Sequence, residues 1–290
     1  MPSGESELIL NADGSIYHLN LRPEDIATTL IFVGDPDRVP QVSNHFDTIE
    51  IVKGKREFHT HTGTLNGKRL SVISTGIGTD NIDIVLNELD ALVNMNFATR
   101  EPVKEKTSLQ IVRIGTSGAV QEHIPVDSFL LSNYAIGLDG LLHFYKTGNH
   151  TERELTQQLA QHLDWHTQSI HPYAFKCNES LKNQLADDAV QLGITVTNAG
   201  FYGPQGRRLR LKEQLSDFHS KLQSFSYGGS PITNLEMETA GIYGLSALMG
   251  HKAISMNAIL ANRALGTFSK NPQQTVQKLI AYCLDRLTQS

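Results

Sequence analysis

The sequence predicts a single α/β domain spanning residues 1–290. Strand-like apolar runs alternate with helix-like stretches from end to end, and neither a repeat nor a low-complexity linker interrupts them. Two of the apolar runs also end in a glycine with an arginine close by, as strands do where they open onto a ligand crevice.

Residues 28–33 form an apolar run that stops at Gly34, which predicts a buried strand. Residues 58–65 and 69–73 flank Asn66-Gly67, a turn pair that favours a tight hairpin. Ser74-Thr75-Gly76-Ile77-Gly78 follows as a glycine loop. Ile82, Val85, Leu86, Leu89, Leu92 and Val93 recur at helical spacing, so 81–94 is predicted as a helix. Residues 109–114 and 129–133 read as strands, and 152–163 and 179–192 as amphipathic helices. A short strand at 194–197 leads to Gly200-Phe201-Tyr202. A helix rich in small residues covers 236–249, a strand 253–260 and a closing helix 273–287. The stretch 146–176 carries the weakest pattern.

With 39% hydrophobic and 19% charged residues, the chain can build one large core or two small ones, and the unbroken alternation favours one. A net charge of −5 leaves no basic footprint for nucleic acid. An anionic ligand must therefore be captured by local arginines rather than by a global field. Cys177 and Cys283 form no CxxC pair, so a disulfide framework is not expected and a reducing cytoplasm fits. Residues 1–7 are polar and acidic, unlike a secretory leader, and no run approaches the ~18 apolar residues of a membrane span. No membrane partner is expected.

Gly34-Asp35-Pro36-Asp37-Arg38 and Arg113-Ile114-Gly115-Thr116-Ser117-Gly118 follow the two strands. Glycine admits close backbone approach, and arginine offers a planar fork of donors to phosphate oxygens. The plain alternative for each is a strand-to-loop turn with a solvated arginine. Residues 200–207, Gly-Phe-Tyr-Gly-Pro-Gln-Gly-Arg, present an aromatic face, a carboxamide and a guanidinium. A carboxamide can both donate and accept, so Gln205 can pair with an imide edge. Arg207 can donate to a second carbonyl, and Phe201 can pack on a flat ring, a set that suits uracil. Taken alone, the loop could equally face water. In Asn234-Leu235-Glu236-Met237-Glu238-Thr239-Ala240-Gly241, acids at a predicted helix start ordinarily complement the helix dipole. A carboxylate there could also accept from two sugar hydroxyls, beside any positive charge that grows on a ribose.

The ordered set GDPDR, REF, STGIG, RIGTSGAV, FYGPQGR, NLEMETAG and NR resembles the nucleoside phosphorylase family, and within it the uridine-cleaving members. The resemblance runs from about His18 to Arg263. It implies a mixed, partly barrel-like sheet flanked by helices. It also implies phosphorolysis of uridine to uracil and ribose 1-phosphate by a pentosyltransferase, with inorganic phosphate as co-substrate. Residue by residue, it implies phosphate binding by Gly34, Arg38, Arg113 and Thr116. Arg56 would reach the phosphate of a neighbouring subunit, and His18 would cross the same interface to the ribose. Glu236, Met237 and Glu238 would line the ribose, and Phe201, Gln205 and Arg207 would hold the base. The enzyme would thus self-associate with a site shared between two subunits. No metal is implied, although some members hold a monovalent cation that Glu57 would meet here, with Asn81 at the position of a serine. The strand end Leu260-Ala261-Asn262-Arg263 lacks the acid that purine-acting relatives carry. The alternatives are a purine nucleoside phosphorylase or related nucleosidase on the same fold, and a nucleoside-binding protein without catalysis. Arg208-Leu209-Arg210-Leu211 is more basic than the common pattern and reads as a lid or a solvated strand.

Overall fold

The computed structural model describes residues 2–165 and 170–289. Residues 1, 166–169 and 290 lie outside it, the first within the polar start and the middle group within the weakly patterned stretch 146–176.

The strands are β1 (Thr29–Val33), β2 (Thr48–Lys55), β3 (Phe58–Leu65), β4 (Lys68–Ser74), β5 (Met95–Asn96), β6 (Glu101–Pro102), β7 (Gln110–Ala119), β8 (Phe129–Gly137), β9 (Tyr173–Lys176), β10 (Val190–Thr197), β11 (Ser226–Tyr227), β12 (Ser230–Glu236), β13 (Lys252–Asn262) and β14 (Thr267–Phe268). The helices are α1 (Arg38–Ser43), α2 (Thr79–Asn94), α3 (Arg153–His162), α4 (Glu179–Leu185), α5 (Phe218–Ser224), α6 (Thr239–Met249) and α7 (Pro272–Thr288).

One mixed sheet organises these strands, in the order β11-β12-β10-β8-β13-β7-β1-β4-β3-β2, with β9 paired to β8 and β14 to β13, while β5 and β6 form a separate pair. It closes on itself because β12 also pairs antiparallel with β7, Asn234 opposite Ala119 and Leu235 opposite Gly118. The ring β12-β10-β8-β13-β7 is therefore a barrel, and β1, β4, β3 and β2 extend from β7 as an arm. The parallel pairs β1–β4, β1–β7 and β13–β7 are buried on both faces, which explains the continuous apolar run 30–33 and the apolar Ile111, Val112 and Ile114 that surround Arg113.

Local chemistry accounts for most element ends. Asn66 and Gly67 both adopt positive φ, 51° and 74°, in the turn that joins β3 to β4. Helix α2 buries Ile82, Val85, Leu86, Leu89 and Leu92, the stripe its sequence spacing predicts, and packs on α6. Three expected elements are corrected. The strand expected to end at 114 runs on to Ala119, so Arg113, Gly115, Thr116 and Gly118 lie within β7 and not after it. The helix expected over 179–192 ends at Leu185, because Asp187 accepts a hydrogen bond from the Ala189 backbone N–H at 2.9 Å. That side-chain turn stops the helix and frees 190–197 to pair with β8. The helix expected from 236 begins at Thr239, and Glu236 is the last residue of β12. Residues 208–211 form no strand.

Among the described residues, no helix is long and apolar enough to cross a membrane, and the free cysteines Cys177 and Cys283 are both buried.

Candidate active site

A cavity of about 740 Å³ opens where β1, β7, β12 and β13 run out. Every site residue expected from the sequence lines it except His18 and Arg56.

One corner gathers cations. Arg38, at the start of α1, donates from Nη1 to the Ile114 carbonyl at 3.4 Å. Burial, and then the charge of Arg113, lower its pKa. Among the described residues Arg38 has no carboxylate in an ion pair, so its charge is available to an anion. Arg113 is buried. Burial works against its charge, but Glu236 and Glu238 outweigh that and raise its pKa. Its side chain folds forward along β7, over Gly115. A Cβ on that glycine would stand 1.9 Å from Nη1, so no side chain fits beneath the guanidinium. Gly34 and Thr116 complete this corner.

Two acids with different tasks adjoin it. Glu238 accepts from Arg113 Nη2 at 2.6 Å and from the Gly78 backbone N–H at 2.9 Å, which ties the glycine loop to β7. Burial raises its pKa. Arg113 only partly offsets this, and Glu236 adds to it. The Glu236 carboxylate is occupied within the protein. It accepts from the backbone N–H groups of Glu238 and Thr239 (3.0 and 2.9 Å) and from the hydroxyls of Thr239 and Thr197 (2.8 and 2.5 Å). It thereby caps the start of α6 and lies 3.3 Å from Arg113 Nη2. Glu238 is the acid better placed to turn toward a ligand, and Glu236 holds it there.

The other corner is flat and amide-rich. The Arg207 guanidinium stacks 3.7 Å from the Phe201 ring centroid and donates to the Phe201 carbonyl and to Gln205 Oε1. With that oxygen engaged, the Gln205 amide N–H groups are the part left to a ligand. Gly206 turns the chain at φ 63°, and a Cβ there would meet His219 at 2.8 Å. Arg263 donates to the Gln205 carbonyl, a bracing role that its place in the NR motif does not reveal. Leu260 and Ala261 form the wall beside it. Asn262 points elsewhere. Its amide donates to the carbonyls of Gln121 and Ile124 (2.9 and 2.7 Å), so it braces a loop.

His18 and Arg56 do not line this cavity. The His18 ring bonds Glu88 at 2.6 Å, and Glu88 also accepts the backbone N–H groups of His18 and Leu19. Arg56 is exposed at the turn between β2 and β3, at φ 57°, while Glu57 beside it reaches the cavity edge. Asn81 shares that edge and turns its amide nitrogen to the Ile77 carbonyl at 3.4 Å.

A closed mixed barrel carrying an arginine-lined anion corner and a flat amide-rich slot in one cavity defines a cleft enzyme for a substrate with a planar ring and an anionic co-reactant. Residues 28–288 match the Phosphorylase superfamily, and the chain belongs to that family. It is 29% identical over 261 residues to a uridine phosphorylase of Thermococcus kodakarensis, covering 89% of this chain and 81% of that protein. It is 25% identical over 277 residues to a DeoD-type purine nucleoside phosphorylase of Colwellia psychrerythraea, covering 92% and 97%. A Trypanosoma brucei nucleoside phosphorylase, described as showing uridine phosphorylase activity, superposes with a TM-score of 0.87 at 28% identity over 98% of this chain and 100% of that one.

Proposed function

We propose that this enzyme, a single nucleoside phosphorylase-like domain over residues 1–290, cleaves uridine with inorganic phosphate to give uracil and ribose 1-phosphate. The observation that carries this reading is the placement of Arg38 and Arg113 at one end of a cavity whose other end holds Phe201, Gln205 and Arg207. Relatives named as uridine phosphorylases support it.

Arg38, Arg113, Thr116 and the Gly34 backbone hold phosphate in line with C1′, chiefly a positioning effect. Met237 lines the ribose, and Glu238 accepts its hydroxyls while the glycosidic bond loosens toward an oxocarbenium-like state. A phosphate oxygen forms the new bond to C1′ as the bond to N1 breaks, and the electron pair leaves with uracil. Gln205 and Arg207 donate to the carbonyl oxygens that take up this charge. The departing anion then takes a proton from solvent. No bound metal or cation enters the scheme.

His18 and Arg56 do not line their own cavity, which supports a second subunit that receives them at its ribose and phosphate. Two buried free thiols are in keeping with a reducing, cytoplasmic setting. Similarity to a purine enzyme keeps a second substrate in view, while the Leu260-Ala261 wall offers no acid to a purine nitrogen. Purified protein with uridine, inosine or methylthioadenosine, each with and without phosphate, tests both. Phosphate-dependent release of uracil is expected, and turnover without phosphate would overturn the scheme.

A further inference from the structure

The register of β7 and β13 sets Ser255 opposite Arg113 and Asn257 opposite Gly115. Because the Arg113 side chain folds forward over Gly115, its Nη1 arrives beside Asn257, 3.0 Å from Oδ1, with Ser255 Oγ at 3.3 Å. Asn257 is fully buried between Met256 and Ala258 on its strand. A carboxamide at such a place is costly unless its atoms are paired.

Both ends of this carboxamide are paired, and the pairing fixes which way it faces. Arginine only donates, so the carboxamide oxygen must face Nη1. The amide nitrogen then donates to Ser132 Oγ at 3.3 Å. The Thr195 hydroxyl donates to Asn234 Oδ1 at 2.7 Å, so in the 2.5 Å contact between Ser132 and Thr195 the proton comes from Ser132. Asn234 Nδ2 donates in turn to Ser117 Oγ at 2.9 Å. Every bond runs in one sense, from Arg113 across β13, β8, β10 and β12 and back to β7. Turning the Asn257 amide over would set donor against donor at Arg113 and leave Ser132 without its donor.

Glu238 grips the Nη2 edge of the same guanidinium at 2.6 Å. Contacts at that edge alone, Glu238 and the 3.3 Å approach of Glu236, leave the group free to swing about it, and at Nη1 the shorter of two contacts, from Asn257 at 3.0 Å against Ser255 at 3.3 Å, fixes the plane. Supplying that second contact from a neutral side chain matters, because Arg113 already faces two carboxylates and a third would repel an incoming anion. We propose that Asn257 is the positioning residue of the anion site, its carboxamide oxygen holding the Arg113 guanidinium in the plane that meets phosphate. This inference rests on phosphate being the anion that the cavity binds.

Titration calorimetry of the full chain with inorganic phosphate, and separately with uridine, tests it. Asn257→Leu and the smaller Asn257→Ser, which cannot reach Nη1, are expected to raise the phosphate Kd about tenfold, the loss of one hydrogen bond to a charged group. The uridine Kd is expected to stay within about twofold, a split that general loosening of the barrel would not give. Ser132→Ala, in the same relay but out of contact with Arg113, is expected to lower the melting temperature and leave the phosphate Kd within about twofold. Wild-type phosphate affinity in Asn257→Ser, or equal weakening by Asn257→Ser and Ser132→Ala, would overturn the assignment. Wild-type protein that binds phosphate without cleaving uridine would overturn the uridine scheme and leave Asn257 its role. Wild-type protein that binds no phosphate would overturn both.

Discussion

The two ends of the cavity are built in different ways. The anion end stands on barrel strands: Arg113 on β7, Ser255 and Asn257 on β13, Glu236 at the tip of β12, all buried and mutually bonded. The base end stands on residues 200–207, where Phe201 is 50% exposed and the turn depends on a left-handed glycine, and it continues into exposed Leu209 and Leu211. On the proposed scheme, the groups that hold the anion at a fixed distance from the reacting carbon stand on packed strands, and those that choose the ring lie on a segment that can vary without disturbing the core.

The sharpest way to break this contrast is Arg113→Ala. At the anion end a side chain serves structure and chemistry together. Activity is expected to fall by ~10³-fold or more, and stability by about 3–5 kcal/mol, because Glu238 and Glu236 would keep buried charges without their partner. Steady-state kinetics with a denaturant melt would check both. An inactive variant as stable as the wild type would show the two ends to be alike. The next largest effect is expected at the base end. Arg207→Ala should lower kcat/KM for the nucleoside by about 10²-fold while stability changes by less than about 1 kcal/mol, since the residue is half-exposed and bonds only its own loop. The KM for phosphate should hardly move.

The smallest effect is in pH dependence. Burial lifts the Glu238 carboxyl above its ordinary value of 4.5, so the acid limb of kcat/KM should lie at higher pH than a solvated carboxylate would give. Glu238→Gln should abolish that limb. The stability sign is opposite. With its folded pKa above its unfolded one, this carboxyl favours the folded state below the unfolded value, and that contribution is lost as pH rises through the folded value. Activity should therefore decline on acidification before the melting temperature does, and a parallel decline would remove Glu238 as the titrating group.

What could be read from sequence follows the same division. Features set by neighbours in the chain were legible: the Asn66-Gly67 hairpin, the α2 stripe, and the glycine and arginine that follow β1; Arg113 and its glycines were legible as a motif but lie within β7, not at its end. β12 was not, because five consecutive buried residues give no alternation, and Glu236 looked like a helix start when it ends a strand and caps the helix after it. Nor were the roles of Ser255 and Asn257. Two polar residues at spacing two in an apolar strand are a visible signal of a polar inner face. What they touch is decided by barrel closure and by the absence of a side chain at Gly115 on another strand. His18 and Arg56 could be singled out only by resemblance, since nothing in their own cavity calls for them.

The Arg113–Glu238 pair joins residues 125 positions apart across a buried space. Neither charge can enter that space cheaply until the other has arrived, and each arrives on a different segment of the ring. A half-assembled chain therefore keeps both in water and gains little from closing wrongly, while the correct closure satisfies both at once. The buried pair thus requires that β7 and the start of α6 be brought together by the correct ring closure.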